Sequence, residues 1–151
     1  MLNTPQRHKQ LIQTTFRYLF DEFEFKIFEV RTFPSFGNWV GVLISEDCCR
    51  IQLLQDRSDL MVLVGPVWSP PGWESGPFYD ISVIFKALGE ETIYISNKYW
   101  NEEEKQLEEI SRIITPLMPK ICDLFSGEHY KENRKRLDLI YQRMRDEWQY
   151  N

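Results

Sequence analysis

The sequence has few of the residues that usually carry catalysis or hold a metal. Its 151 residues include two histidines, His8 and His129, and three cysteines. Neither a C-x-x-C pair nor a set of histidines at ligand spacing occurs, so we expect no metal site. No serine stands in a Gly-x-Ser-x-Gly turn, and no glycine-rich phosphate loop is present. The sequence therefore predicts no catalytic residues and no cofactor, and it favours a protein that is not an enzyme.

Long apolar runs are also missing. No stretch approaches the roughly 20 apolar residues that cross a bilayer. The first residues lack the apolar segment of a secretory signal, so we expect a cytoplasmic protein with no membrane partner. In a reducing compartment Cys48, Cys49 and Cys122 are expected to be buried or half-buried thiols. Because there are three cysteines, at least one is unpaired within a monomer.

An excess of positive charge is absent as well. The chain has 18 basic and 23 acidic residues, which gives a formal net charge of −5. Nucleic acids and anionic membranes bind a basic face, so we expect neither as a partner. The acidity is compatible with a basic protein partner, although mild acidity by itself also keeps a protein in solution.

The first 65 residues predict a helix followed by an antiparallel sheet. Thr4 and Pro5 begin a helix whose apolar stripe continues to Phe23. Short β-branched and aromatic runs, separated by turn residues, then predict a four-stranded antiparallel meander. The predicted strands are residues 25–32, 39–45, 48–54 and 60–64. Strands this short need a cover, which the first helix supplies. Gly41 marks a bulge or a close neighbour.

The residues after position 80 predict helices. Ile81, Ile84 and Phe85 stand at helical spacing, and Gly89 ends that element. Residues 90–96 fit either a short fifth strand or an extended linker. We therefore predict a single α+β domain over residues 1–151. Its parts are a helix and meander (1–65), a loop rich in proline, glycine and tryptophan (66–80), and a mainly helical segment (81–151).

Two stretches near the end keep the three-four apolar spacing of paired helices, and the short link around Gly127 predicts an antiparallel helical hairpin. The first seam consists of Leu107, Ile110, Ile114, Leu117, Ile121 and Leu124, and the second of Tyr130, Arg134, Leu137, Tyr141, Met144 and Trp148. Pro116 and Pro119 interrupt the first seam, so we expect a kink there or a new helix capped by Thr115. The unbroken seam favours the kink.

The seams are either the inner face of the hairpin or a dimerisation surface. Their short length favours the inner face, and so a monomer or a weak homodimer. An acidic cluster at the start of the hairpin consists of Glu102, Glu103, Glu104, Glu108 and Glu109. In an antiparallel hairpin Arg143 and Arg145 approach this cluster, so mutual pairing would account for both sets of charges.

The loop of residues 66–80 is the strongest candidate for a binding surface. Trp68 and Trp73 flank a stiff Pro-Pro-Gly segment, and tryptophan carries much of the binding energy at protein interfaces. We predict a partner-binding site at Trp68, Trp73, Tyr79 and Asp80. The alternative, in which both tryptophans fold back over the open end of the sheet, stays open.

A second hypothesis is a small-ligand binder or an enzyme. Its pocket would lie between the sheet and the helical hairpin. Asp56 and Arg57, together with Tyr79 and Asp80, would stand at the mouth of that pocket.

The order Asp56-Arg57, Val64-Gly65-Pro66, Trp73 and Phe78-Tyr79-Asp80-Ile81 resembles a pattern of small bacterial domains of unknown function. It is also similar to that of some immunity proteins, which neutralise the toxins of neighbouring bacteria. The resemblance covers the middle third of the chain and includes no catalytic motif. The turn after the Asp-Arg pair carries Ser58-Asp59 where those domains have a glycine. The first hypothesis is therefore a non-enzymatic protein-binding module, such as an immunity or adaptor protein.

Overall fold

The computed structural model describes residues 4–33, 38–57, 59–69, 77–90, 92–95, 98–99 and 102–150. It shows the predicted α+β architecture. The helices are α1 (Thr4–Thr15), α2 (Arg17–Phe23), α3 (Ile81–Ala87), α4 (Glu103–Ile114), α5 (Met118–Phe125) and α6 (Gly127–Tyr150). The strands are β1 (Lys26–Thr32), β2 (Trp39–Ile44), β3 (Arg50–Asp56), β4 (Asp59–Gly65) and β5 (Tyr79–Asp80). None of the described helices is long and apolar enough to cross a membrane.

The N-terminal helix is interrupted, so the prediction of one helix to Phe23 is wrong in this detail. Phe16 lies between α1 and α2 with φ −104° and ψ 28°. Its amide N–H still donates to the carbonyl of Ile12 at 2.8 Å, and its own carbonyl accepts from the amide of Leu19 at 2.9 Å. All three side chains are buried. The apolar spacing continues through the break, which is why the periodicity of the sequence does not show it.

The sheet has the order β1-β2-β3-β4-β5, and every neighbouring pair is antiparallel. The four-stranded meander is thus confirmed. The short fifth strand is Tyr79–Asp80, which pairs with Leu63 and Val64 of β4. The described residues between 90 and 96 contain no strand, so the fifth strand comes from the end of the predicted loop instead.

One face of the sheet and the helices share a single apolar core. On the sheet side the core contains Trp39, Leu43, Ile51, Leu53, Val62 and Val64. Ile12 of α1 approaches the sheet at Gly41, where an added Cβ would lie 2.9 Å from its Cδ1 atom. Gly41 therefore marks a close neighbour, whereas the register shift of the sheet lies in β1 between Ile27 and Glu29. α4 covers the same core with Leu107, Ile110 and Ile114.

The prolines of the first seam are accommodated by a single turn of 3-10 helix, Thr115–Leu117, between α4 and α5. Pro116 and Pro119 each stand at the start of a helical segment, where a missing N–H removes no intrahelical hydrogen bond. Thr115 is the first residue of this turn, and Ile114 stands at its cap position. The apolar seam stays buried through the turn, because Leu117, Ile121 and Leu124 are all core residues.

The chain reverses after α5, where Gly127 has φ +49°. α6 packs against α5 and α3, and the ring of Tyr130 stacks on Phe125 with 5.7 Å between centroids. The ion pairs of the described residues do not join Arg143 or Arg145 to the acidic cluster. Glu102 instead pairs with Lys105 at 3.0 Å and Glu103 with His8 at 2.9 Å. The predicted charge pairing is therefore wrong.

Two of the three cysteines are bonded, which corrects the expectation of free thiols. Cys48, in the turn between β2 and β3, forms a disulfide with Cys122 of α5. Cys49 is the free cysteine and is completely buried, and this burial raises the pKa of its thiol. The bonded pair is 74 residues apart. Only the packing of α5 beside this turn brings the two sulfurs together, so the sequence spacing does not indicate the bond.

The disulfide closes a long loop and should stabilise the fold. Replacing both residues in a Cys48→Ser/Cys122→Ser variant is expected to lower the free energy of unfolding by about 3–4 kcal/mol, since the unfolded chain gains conformational freedom. Guanidinium unfolding with and without reductant measures this loss, and reductant should leave the variant unchanged. A thiol assay in denaturant should find one reactive thiol in the wild type. Three reactive thiols would contradict the bond.

Candidate functional site

Trp68 lies in the segment after β4 and is 60% exposed. Its ring contacts that of Tyr130, near the start of α6, with 5.9 Å between centroids. One edge of the indole thus rests on the body of the protein while most of it faces solvent. Trp73, the other predicted tryptophan, lies outside the described residues. Because it is exposed, Trp68 remains a candidate for contact with a partner.

Tyr79 is buried, although it was predicted to contact a partner. Its hydroxyl donates to the carboxylate of Asp138 on α6 at 2.5 Å and lies 3.3 Å from the hydroxyl of Tyr130. Burial, and then these hydrogen bonds, raise the pKa of the Tyr79 phenol. The residue therefore fastens the edge of the sheet to the middle of α6.

Asp80 has a local structural role. Its carboxylate accepts a hydrogen bond from the amide N–H of Ser82 at 2.9 Å and another from the Ser82 hydroxyl at 2.6 Å. This is an N-cap, which satisfies a donor that the first turn of α3 leaves free. The side chain is half-buried.

Asp56 and Arg57 are at the opposite end of the sheet from Tyr79. Asp56 ends β3 and Arg57 follows it in the turn to β4, and Asn38, just before β2, contacts both. The Asn38 side-chain oxygen accepts from the Arg57 amide at 2.6 Å. Tyr79 pairs with Val64, five residues along β4 from Asp59, which is about 16 Å of strand. The structure does not bring the four predicted pocket residues together.

Two of the concave regions of the described residues bear on the predicted pocket. A small one of about 210 Å³ separates the β3–β4 turn from α4 and is lined by Asp56, Leu60, Gln106 and Ile110, among others. It is smaller than the roughly 300–1,000 Å³ of typical ligand pockets. A wider groove of about 730 Å³ lies beside α2 and β1, where Phe28, Ser45 and Asp47 contribute to its walls. The small one lies between β4 and α4, the first helix of the predicted hairpin, and of the four predicted pocket residues only Asp56 lines it. The wider groove lies away from the hairpin.

The two histidines lie in separate places. His8 is buried against Trp39, with stacked rings 4.5 Å apart, and its Nε2 atom is 2.9 Å from a carboxylate oxygen of Glu103. His129 is exposed and pairs with Asp123 at 2.9 Å. No group of three or more metal-ligating side chains occurs within the described part of the chain. The link between His8 and Glu103 joins α1 to α4 across 95 positions, so sequence spacing does not reveal it.

The contact with His8 changes the pKa of the Glu103 carboxyl. Burial alone would raise the pKa of its carboxyl, but the hydrogen bond to His8 and the electrostatic influence of His8 and Arg7 outweigh the burial. The pKa of Glu103 therefore lies below its ordinary value. The arrangement resembles an acid–base pair, and its geometry equally suits a clamp between two helices.

An apolar stripe on α6 includes two exposed aromatic side chains. We define the α6 stripe as Tyr130, Leu137, Tyr141, Met144 and Trp148, which recur on one side of the helix because 18 residues make five turns. Tyr130 and Leu137 are buried and Met144 is half-buried against the core. Tyr141 is 40% and Trp148 58% exposed. The spacing of the apolar residues predicts the stripe, but the sequence does not show at which residue the stripe becomes exposed to solvent.

Comparison with known proteins found no match among protein families, curated proteins or solved structures. The inference of function therefore depends on the geometry of this chain.

The hydrogen bond from Tyr79 to Asp138 should be measurable. Tyr79→Phe is expected to lower the free energy of unfolding by about 1–2 kcal/mol, because it removes a partly buried hydrogen bond to a carboxylate. Tyr18→Phe is the control, since Tyr18 is 43% exposed and packs only its ring edge on Phe23. Equal effects of the two substitutions in urea unfolding would contradict the role of Tyr79.

The lowered pKa of Glu103 predicts an acid-dependent loss of stability. A carboxyl whose pKa is depressed in the folded state stabilises the fold above its unfolded pKa, here about 4.5. That contribution is lost as the pH falls through the folded pKa. Glu103→Gln should therefore flatten the fall in unfolding free energy below about pH 4.5. Glu104→Gln, at the exposed neighbouring position, should leave the slope unchanged. Parallel curves for wild type and Glu103→Gln would contradict this account.

Proposed function

We propose that the protein is a non-enzymatic protein-binding module and that the exposed half of the α6 stripe is its binding surface. The observation that supports this proposal is the change along α6. No described side chain after Leu137 is fully buried, yet the apolar stripe continues for three further turns with Tyr141 and Trp148 facing solvent. Tyrosine and tryptophan are the residues that most often dominate binding energy at interfaces.

The spacing of the stripe favours a helix as the bound element. Leu137, Tyr141, Met144 and Trp148 follow one another at intervals of four, three and four residues. This is the spacing at which side chains of one helix enter the gaps of another. An amphipathic helix of a partner protein would therefore extend the hairpin by one more helix.

Trp68 lies at the other end of the same stripe, because its ring contacts Tyr130. Tyr130 and Trp148 are 18 residues apart, or about 27 Å along the helix. A partner long enough to cover this distance would contact both exposed tryptophans. The predicted role of Trp68 in partner binding is thus retained in the proposal, whereas Tyr79 and Asp80 support the surface from within.

The net charge of −5 favours a partner of positive charge. An immunity or adaptor role, as the resemblance implies, is the specific form of the proposal. The predicted cytoplasmic location stays a prediction, and the Cys48–Cys122 disulfide is of a kind that persists mainly in oxidising compartments. The second hypothesis, a pocket between the sheet and the hairpin, also stays a prediction.

The test uses two exposed positions and a matched control on the same helix. Tyr141→Ala/Trp148→Ala should abolish capture of the partner by the immobilised protein, with a loss of 2 kcal/mol or more, roughly 30-fold in affinity. Leu139 is 50% exposed and lies about two and a half turns from Tyr130, on the opposite side of α6. Leu139→Ala should therefore bind as the wild type does. Trp68→Ala is expected to weaken binding without abolishing it.

Sedimentation equilibrium separates this proposal from self-association. A monomer of 18.2 kDa in the micromolar range is expected for the isolated wild type. A dimer that Tyr141→Ala/Trp148→Ala dissociates would show that a second copy occupies the stripe. Partner capture that the double variant and Leu139→Ala retain equally would overturn the proposal.

A further inference from the structure

A buried arginine lies on the face of the sheet opposite the apolar core. Arg50 begins β3, between Ile44 of β2 and Gly65 of β4, and is 1% exposed. Because side chains alternate along a strand, Arg50 points away from the core side chain of Ile51. Its Nη1 atom donates to the backbone carbonyl of Ser69. The guanidinium is thereby tied to the segment that follows β4.

Two aromatic rings lie close to this guanidinium. Its central carbon lies 5.5 Å from the ring centre of Phe28 and 5.5 Å from that of Phe78. Phe28 stands at the register shift of β1, between Ile27 and Glu29, and such shifts redirect a side chain. Both rings are close enough for a cation–π interaction with the guanidinium.

One complete edge of the guanidinium is unused. Nε and Nη2 of Arg50 are buried and have no hydrogen-bond partner among the described residues. These two donors form the parallel pair that binds both oxygens of a carboxylate or a phosphate. Gln52, two residues further on the same face, is completely buried, and neither its amide nitrogen nor its oxygen has a partner there. The buried hydroxyl oxygen of Ser69 also has no hydrogen-bond partner among the described residues.

No carboxylate of the described residues compensates this charge by direct contact. Glu29 lies near enough to oppose the effect of burial, which lowers the pKa of Arg50, but its own ion pair is with Arg31 at 3.5 Å. Leaving a buried charge and several buried polar atoms without partners is costly. A bound group that accepts from all of them would remove that cost.

We propose that Arg50 is the centre of a binding site for an oxyanion, a carboxylate or a phosphate group, which its Nε and Nη2 atoms hold together with Gln52 and Ser69. The site is independent of the α6 stripe. Phe28 is 55% exposed and also lines the groove of about 730 Å³ beside β1. The oxyanion is therefore the charged end of a ligand whose remainder lies in that groove.

The test observes the Nε–H signal of Arg50 directly. Protein labelled with ¹⁵N is titrated with sodium acetate and, separately, with sodium phosphate, while sodium chloride keeps the ionic strength constant. The Arg50 signal, identified by its absence in Arg50→Lys, is expected to shift saturably with at least one of the two anions. Acetate would assign a carboxylate ligand and phosphate a phosphate ester. The melting temperature should rise over the same concentration range.

Two variants control for non-specific effects. Arg50→Lys keeps the charge but lacks the paired donors, so it should bind the anion about tenfold more weakly or worse. Gln52→Glu places an internal carboxylate beside the unused edge and should remove the response to added anion while the protein stays folded. A shift of the Arg50 signal that does not saturate, that chloride reproduces or that Gln52→Glu retains would overturn the proposal. A rise in melting temperature that Arg50→Lys shows to the same extent as the wild type would overturn it too. No shift with either anion would overturn it as well.

Discussion

A meander of four short strands is stable only when helices cover its apolar face. In this chain α1, α3 and α4 supply that cover. Ile12 meets the sheet at Gly41, where the lack of a side chain allows the close approach. His8 and Glu103 fasten α1 and α4 to each other. The other features of the fold depend on this arrangement, because it decides which surfaces remain for the helices that follow.

As a result, the rest of the protein covers α6 only in part. Its first turns pack against α3 and α5, and the hydrogen bond from Tyr79 to Asp138 holds it to the edge of the sheet. Beyond that point the core extends only as far as Ile140 and Met144, which are half-buried. The stripe of apolar residues is longer than the body that covers it. A helix partner would complete the packing that the hairpin begins.

The sequence predicts the elements well, because each follows from a local period or a turn residue. The meander and the end of α3 near Gly89 are both of this kind. Features that depend on tertiary packing cannot be predicted from such local patterns. The break at Phe16 preserves the apolar spacing, and Tyr79 faces inward only because its two-residue strand pairs with β4.

The candidate sites show the same limit. Trp68 could be named from its residue type and its loop, and it is exposed. Arg50 lies in a stretch that was recognised as a strand, and nothing in its neighbours indicates that the guanidinium is buried close to two rings. The bond between Cys48 and Cys122 likewise requires α5 to lie beside the β2–β3 turn. Each depends on contacts between residues distant in the sequence.

The central claim is that Trp148 faces solvent in the isolated protein and is covered by a partner. Fluorine NMR of protein labelled with 5-fluorotryptophan tests it most directly, through the difference in chemical shift between H₂O and D₂O. The Trp148 signal, assigned with Trp148→Phe, should show a large solvent shift that the bound partner removes, while the buried Trp39 shows none in either state. A Trp148 signal without a solvent shift in the free monomer, or one that partner binding leaves unchanged, would contradict the account.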